Sequence, residues 1–398
     1  MKRVLQILLI ITMLFTSNVR AFEINSKNAI LINLNEDTIL YEKNSTENTK
    51  IASLTKIMTA IIVLDTVNNL DKKVTLTNED FKGLAEEHAA VSGFKVGQTV
   101  SYRDLLYGLL LPSGADAAQA IIRNISGSKE AFVELMNRKA KELKMNNTHF
   151  VNATGLDEEG QQSTVKDVSI MFKYALKNEE FSKIIKSSSY LTSDQSMTLK
   201  STIMPKKNKM DMKYLLGGKT GTTYDAGLCL ATIASSNGVN YMLVTTNATY
   251  PSNDPLNFLD AKTIYDYYMN NYSYKILVKK DDNLVTIKTK DSTKAEIVFK
   301  STKEIKKYLK NDYDKKDIKI KYSGKKELSY KDKVNEKVGK IDVYYKKEKV
   351  DTIDIVLKEK IKFDLKKYLI SHIYIVLGIC ILLILTLLIV IKYLTVKH

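Results

Sequence analysis

The chain has 398 residues, enough for more than one domain with a core of its own. Hydrophobic residues make up 44%, which excludes a disordered chain. The formal charge of +16 comes from lysine rather than clustered arginine, which argues against nucleic acid. The excess reads as spread along the chain and points to an anionic cell surface as partner.

The N-terminus has the three parts of a secretory signal. Lys2-Arg3 is basic, Val4 to Phe15 is apolar apart from Gln6, and Val19-Arg20-Ala21 suits a signal peptidase, with cleavage expected after Ala21. The apolar run is short for a permanent span of about 20 residues.

Ala29-Ile-Leu-Ile-Asn-Leu predicts a strand, Asn35-Glu-Asp-Thr38 a turn, and Ile39-Leu-Tyr the returning strand of a hairpin. Residues 51–64 hold Ile51, Leu54, Met58, Ile61, Ile62 and Leu64 without Gly or Pro, which predicts a helix buried on most sides. Lys56 is out of place there, and a buried ionisable group marks a site. Ser53 stands three residues earlier, one turn away on the same face. A serine hydroxyl becomes a nucleophile when a neighbour takes its proton. A lysine can do this if burial or nearby positive charge lowers its pKa. Ser-x-x-Lys alone is weak in a lysine-rich chain, where a surface serine beside a solvated lysine is the ordinary case.

Tyr102 to Leu111 predicts a second helix, ended by Pro112. Ser113-Gly114 then makes a tight loop in which a hydroxyl could pass a proton. Ser113 could equally cap the next helix, and so could Asp116. Residues 117–125, 130–143 and 167–175 predict further helices. His149 reads as structural, beside Phe150 and Val151 in a packed turn.

Tyr214-Leu-Leu opens a strand running into Gly217-Gly-Lys-Thr-Gly221. Lys219 would bring positive charge and Thr220 a hydroxyl, both suited to a carboxylate. Lys219 would also help keep Lys56 neutral. Gly221 removes a side chain where a substrate must approach a sheet edge, and Gly217-Gly218 adds clearance. A plain strand-end turn fits the same tripeptide. Gly227 to Ala234 and Val239 to Thr246, joined through Asn237-Gly238, predict a hairpin, and Phe258 to Tyr268 a closing helix. Strands, helices, strands, helix in that order predict a mixed α/β (α+β) domain with one antiparallel sheet built from both ends.

From Tyr274 to Phe363, short runs alternate Lys or Asp with Ile, Val, Leu and Tyr, which predicts a small β sandwich or barrel. Its lysines are most simply a solvated face; attraction to anionic lipid or wall polymer is the sharper reading. Ile373 to Ile391 is uncharged and about one bilayer thick, so it predicts a transmembrane helix that stops transfer, with Lys392 and Lys397 in a cytoplasmic tail. Cys229 falls in a predicted strand and Cys380 in the span, so no intramolecular disulfide is expected; Cys229 reads as a small core residue. The four histidines are too scattered for a zinc site, and neither metal nor cofactor is expected.

Ser53-x-x-Lys56, Ser113-Gly-Ala115 and Lys219-Thr-Gly221 match, in order and rough spacing, the penicillin-binding and serine β-lactamase set. Residues from about 22 to 365 more narrowly resemble the low-molecular-weight penicillin-binding proteins that act as D-alanyl-D-alanine carboxypeptidases. Ile51 to Ala60, Leu105 to Gly114, Thr148 to Asn152 with Gly155-Leu156, and Gly218 to Gly221 carry the resemblance. It implies a transpeptidase-like catalytic domain at 22–273 after a signal at 1–21, a β-rich domain at 274–365, a transmembrane helix at 369–391 and a tail at 392–398. It also implies a place on the outer face of the cytoplasmic membrane. Ser53 would attack the bond between the last two D-alanines of a peptidoglycan stem peptide, with Lys56 as base and Ser113 as proton relay. Lys219, Thr220 and Gly221 would hold the terminal carboxylate, the N–H groups of Ser53 and Thr222 would form the oxyanion hole, and β-lactams would acylate the same serine. The family's second motif usually has Asn where Ala115 stands; a water or Asp116 would have to fill that role. No arginine follows the second hairpin to share the carboxylate. A wall-binding homologue with a crippled site, a β-lactamase and a D,D-endopeptidase are the alternatives.

Overall fold

The computed structural model describes residues 22–396, and the expected signal segment, residues 1–21, lies outside them. The chain divides into two compact units between Asn270 and Asn271.

The first unit opens with strands β1 (Asn28–Asn33) and β2 (Thr38–Lys43), then a 3-10 turn (Ala52–Thr55) that runs into helix α1 (Lys56–Thr66). A short pair, β3 (Lys73–Thr75) and β4 (Thr99–Ser101), leads to α2 (Tyr102–Leu110), α3 (Ala115–Ile125), α4 (Lys129–Glu142), α5 (Val165–Ala175) and α6 (Glu179–Lys186). A second short pair, β5 (Ser189–Leu191) and β6 (Thr198–Lys200), and α7 (Met204–Lys209) precede β7 (Leu215–Thr223), β8 (Gly227–Ser236), β9 (Val239–Ala248) and α8 (Leu256–Asn271).

The main sheet runs β2-β1-β9-β8-β7, antiparallel throughout, so both ends of the unit build it as expected. The register explains the closure: β1 pairs along its full length with β9, from Asn28 opposite Thr246 to Asn33 opposite Tyr241. Lys56 to Val63 of α1 are all buried, which a helix surrounded by protein on every side requires. They share one core with Leu105, Leu109, Ile121, Phe132, Phe172 and Val244. The sheet leaves β7 at an edge.

The second unit holds β10 (Tyr272–Val278), β11 (Asn283–Lys290), β12 (Glu296–Lys300), β13 (Ile305–Lys310), β14 (Ile318–Gly324), β15 (Glu327–Ser329), β16 (Lys337–Tyr345) and β17 (Glu348–Val356). They form a β10-β13 pair and two three-stranded sheets, β12-β11-β15 and β14-β16-β17. Leu277, Ile287, Phe299, Ile341, Val343, Ile353 and Ile355 fill the core between them. Helix α9 (Leu365–Ser371) follows and is fastened to this unit at both ends. Asp364 N–H donates to the Asp291 carbonyl (2.9 Å), Ser371 Oγ to the Asp291 carboxylate (2.7 Å), and Lys367 Nζ to the Ser292 carbonyl (2.9 Å). Helix α10 (Ile373–Val396) contains an apolar stretch, Ile373–Tyr393, long enough to cross a bilayer. None of it is buried against protein, which fits a membrane anchor.

One expectation is corrected here. The lysine excess is not spread along the chain: residues 1–270 carry 30 Lys and Arg against 28 Asp and Glu, whereas residues 271–398 carry 31 against 17. The basic character belongs to the second unit.

Candidate active site

The run from Ile51 does not form one helix. Ala52 has φ +45°, and the turn it opens is 3-10 up to Thr55, with α-helix beginning at Lys56. Three residues per turn set residues i and i+3 one above the other, so Ser53 stands over Lys56. Lys56 Nζ lies 3.0 Å from Ser53 Oγ and donates to the Thr154 carbonyl at 2.7 Å. Lys56 is 2% exposed. Burial lowers its pKa to about 7, and the Asp116 carboxylate opposes part of that fall.

A strap from His149 to Ser163 carries the carbonyl that holds Lys56. Asn152 Oδ1 accepts from Gly155 N–H at 2.7 Å, while Asn152 Nδ2 donates to the Leu156 carbonyl and to Glu158. Thr59 Oγ1 donates to the Ala153 carbonyl (2.7 Å), and Gln161 Nε2 donates to Thr55 Oγ1 (3.1 Å), which ties the strap to the 3-10 turn and α1. Gly155 has φ +80°, and a Cβ there would lie 2.0 Å from the Ala52 carbonyl oxygen, so glycine is required on both counts. His149 pairs through its backbone with Gln162, and its side chain is exposed.

Ser113 is buried with φ +68°, in the loop between α2 and α3. Gly114 N–H donates to the Gly108 carbonyl (2.9 Å) and Ala115 N–H to the Ala90 carbonyl (2.7 Å). Neither Ser113 nor Asp116 caps α3. Gly114 holds the cap position without a side-chain bond. The Asp116 carboxylate turns instead to the backbone N–H of Ser92, 2.7 Å away. It is fully buried, and burial raises its pKa. Asp116 therefore acts on Lys56 through its field and makes no hydrogen bond to it.

The third motif lies on β7. Lys219 is fully buried and donates to the Thr220 carbonyl at 2.8 Å. Burial first, and then the charge of Lys56, holds its pKa well below the usual value. The expected help from Lys219 in neutralising Lys56 is thus minor beside burial, and the repulsion is felt at Lys219. The Thr220 hydroxyl meets that of Thr202 at 2.8 Å. Gly221 faces Ser53: a Cβ there would lie 3.0 Å from Ser53 N and 3.0 Å from Ala52 Cβ. Thr222 follows, exposed and in register with Leu228. Gly217 serves another purpose than clearance for substrate, since a Cβ there would strike the Ile185 carbonyl at the end of α6. Cys229 is buried with its thiol pKa pushed up to about 12, as a small core residue would be.

Within the first unit the contacts bring Ser53, Lys56 and Gly221 together, with Lys219 near enough to feel the charge of Lys56, whereas neither Ser113 nor Thr220 makes a hydrogen bond to Ser53 or Lys56. The Thr154 carbonyl was not foreseen; the signal for it was Asn152 with Gly155-Leu156. The arginines Arg103, Arg123 and Arg138 each pair with carboxylates elsewhere, at Asp71 and Glu180, Asp80, and Glu134.

A serine beside a buried lysine whose pKa burial lowers to about 7, next to an open strand edge, defines a serine acyl-transfer enzyme. The D-alanyl-D-alanine carboxypeptidase model of peptidase family S11 matches residues 15–250, and the chain belongs to that family. It is 32% identical to the D-alanyl-D-alanine carboxypeptidase DacF of Bacillus subtilis over 85% of this chain and 88% of that one. It is 31% identical to a D-alanyl-D-alanine endopeptidase of Pseudomonas aeruginosa over 57% of this chain and 72% of that one. The crystal structure of the Streptomyces K15 DD-transpeptidase superposes with a TM-score of 0.57 at 30% identity, over 62% of this chain and 97% of that one. Penicillin-binding protein 5 of Haemophilus influenzae shares the fold over 86% of this chain, with a TM-score of 0.62 at 20% identity.

Proposed function

We propose that the chain removes the terminal D-alanine from peptidoglycan stem peptides through an acyl-enzyme on Ser53. The 3.0 Å approach of Ser53 Oγ to a Lys56 amine with a pKa of about 7 carries this reading. Neutral Lys56 takes the hydroxyl proton as Oγ attacks the carbonyl between the last two D-alanines. The N–H groups of Ser53 and Thr222 receive the developing oxyanion. The close packing of Gly221 on Ser53 N supports that pairing. The C–N bond breaks, the proton reaches the departing amine through Ser113, and water then releases the shortened peptide. Lys219 and Thr220 receive the terminal carboxylate, and an arriving anion would restore the charge that burial suppresses at Lys219.

The substrate adds to the open edge of β7. Its carboxylate at Lys219-Thr220 and its scissile carbonyl at Ser53 beside Gly221 make it antiparallel to that strand. β-Lactams fill the same place and acylate Ser53. The body lies on the outer face of the cytoplasmic membrane, held by α10. Release of free D-alanine from a pentapeptide by the detergent-solubilised chain tests the reading. Cleavage of cross-linked dimers without such release would favour the endopeptidase alternative. Loss of both, with retained peptide binding, would favour a wall-binding homologue, which the missing amide at Ala115 motivates.

A further inference from the structure

The β7–β8 turn follows the third motif directly, and Tyr224 on it meets Tyr250 from the segment after β9 in an exposed aromatic pair. Tyr224 is 79% exposed and Tyr250, two residues beyond β9, 38%. Their rings meet edge-on with centroids 5.5 Å apart. A lone surface tyrosine needs no explanation, but two in contact at the end of an open strand edge make a shaped apolar surface. The turn beneath them is fastened on the nucleophile's side. Asp225 pairs with Lys50 at 3.7 Å, just before the nucleophile turn. Its N–H donates to the Asp157 carboxylate at 3.2 Å, just after Gly155. Ala226 N–H closes the turn on Thr223 Oγ1 at 3.1 Å.

The direction of the substrate follows from two points on β7. The carboxylate end lies at Lys219-Thr220, and the cleaved bond lies at Ser53 beside Gly221. A strand rises roughly 3.3 Å per residue. A peptide continuing antiparallel along the edge therefore passes Thr223 and reaches Tyr224 two to three residues before the cleaved bond. We infer that Tyr224 and Tyr250 form a subsite for those upstream residues of the donor peptide, taking side chains with long aliphatic surfaces against the ring faces. This rests on the acyl-transfer reading above. It adds that the chain discriminates donors by length upstream of the cleaved bond, through binding contacts remote from the reacting atoms.

The test compares two donors on the full chain in detergent: an N-acetylated D-alanyl-D-alanine dipeptide and a five-residue stem peptide. Tyr224→Ala should lower kcat/KM for the long donor about three- to tenfold, the range an aromatic contact supports. The loss should appear in KM, and the short donor should be unaffected. Tyr224→Phe, which keeps the ring, should behave as wild type. Equal losses on both donors would mean a structural role for the turn, and no loss on either would mean that the peptide does not reach the pair; both overturn the subsite. Failure of the wild-type chain to turn over either donor would instead overturn the acyl-transfer reading itself.

Discussion

The amine of Lys56 hangs from the backbone carbonyl of Thr154, 98 residues further along the chain and 2.7 Å away. A carbonyl accepts a hydrogen bond from neutral and charged amine alike. It therefore fixes the position of Nζ without forcing the proton to stay on it. The lone pair of the neutral form is left to face Ser53.

Ser53→Ala should keep the fold, because one small hydroxyl is lost beside a helix that tolerates alanine. Acylation by penicillin should vanish. Intact-mass measurement after incubation with penicillin checks this, and an adduct on the variant would remove Ser53 as nucleophile.

Lys56→Arg should be nearly inactive, with kcat/KM down by roughly 10²–10⁴, the usual contribution of a general base. Arginine stays protonated at neutral pH and is larger than the closed space that Lys56 fills. Circular dichroism should establish that the variant is folded before D-alanine release is measured.

The acylation rate should climb with pH through about 7, because Lys56 must lose its proton to act as base. The Asp116 carboxylate raises the Lys56 pKa, so Asp116→Asn should move that limb to lower pH. Profiles of kcat/KM against pH for the two proteins decide the matter. An unmoved limb would mean that Asp116 acts only through its bond to Ser92.

Asn152→Ala removes the bonds to Gly155, Leu156 and Glu158 that shape the strap. Loss of such buried bonds costs about 1–3 kcal/mol. In a unit of this size Tm falls by about 2–4 °C for each kcal/mol. The Thr154 carbonyl should shift with it, so acylation should fall along with Tm. Normal acylation in a destabilised variant would show that Lys56 does not depend on the strap.

Removing residues 373–398 should release the chain from membranes while keeping α9 intact. A cut at 369 would also take Ser371 from Asp291 and should cost stability in the second unit. Sedimentation with membranes and thermal melts of the two truncations separate these effects.

Much of the site was legible because its side chains are out of place where they stand. A lysine amid Ile51, Met58 and Ile61 announces itself, and so does Lys219 between glycines. The Thr154 carbonyl has no side-chain signature, so only the neighbouring Asn152 and Gly155 hinted at it. The capping expectations for Ser113 and Asp116 failed because tertiary partners at Ala90 and Ser92 compete for the loop. In the first unit α6, α7 and the short pairs β3–β4 and β5–β6 had no prediction. In the second unit the alternating runs, at 276–278, 284–287, 295–299, 318–322, 340–345 and 352–357, leave out β13 and β15. The latter is three residues long and pairs parallel to β11, a contact that alternation along the chain does not encode.

Asp291 receives both ends of α9, at its carbonyl and at its carboxylate. A span joined through a loose linker would let its cargo sweep freely over the bilayer. Here three hydrogen bonds tie α9 to the β unit, and only His372 stands between α9 and the span that begins at Ile373. The anchor is thus a mount rather than a leash. Once α10 lies in a membrane, the height of the β unit above it is set by hydrogen bonds and not by the reach of a flexible chain.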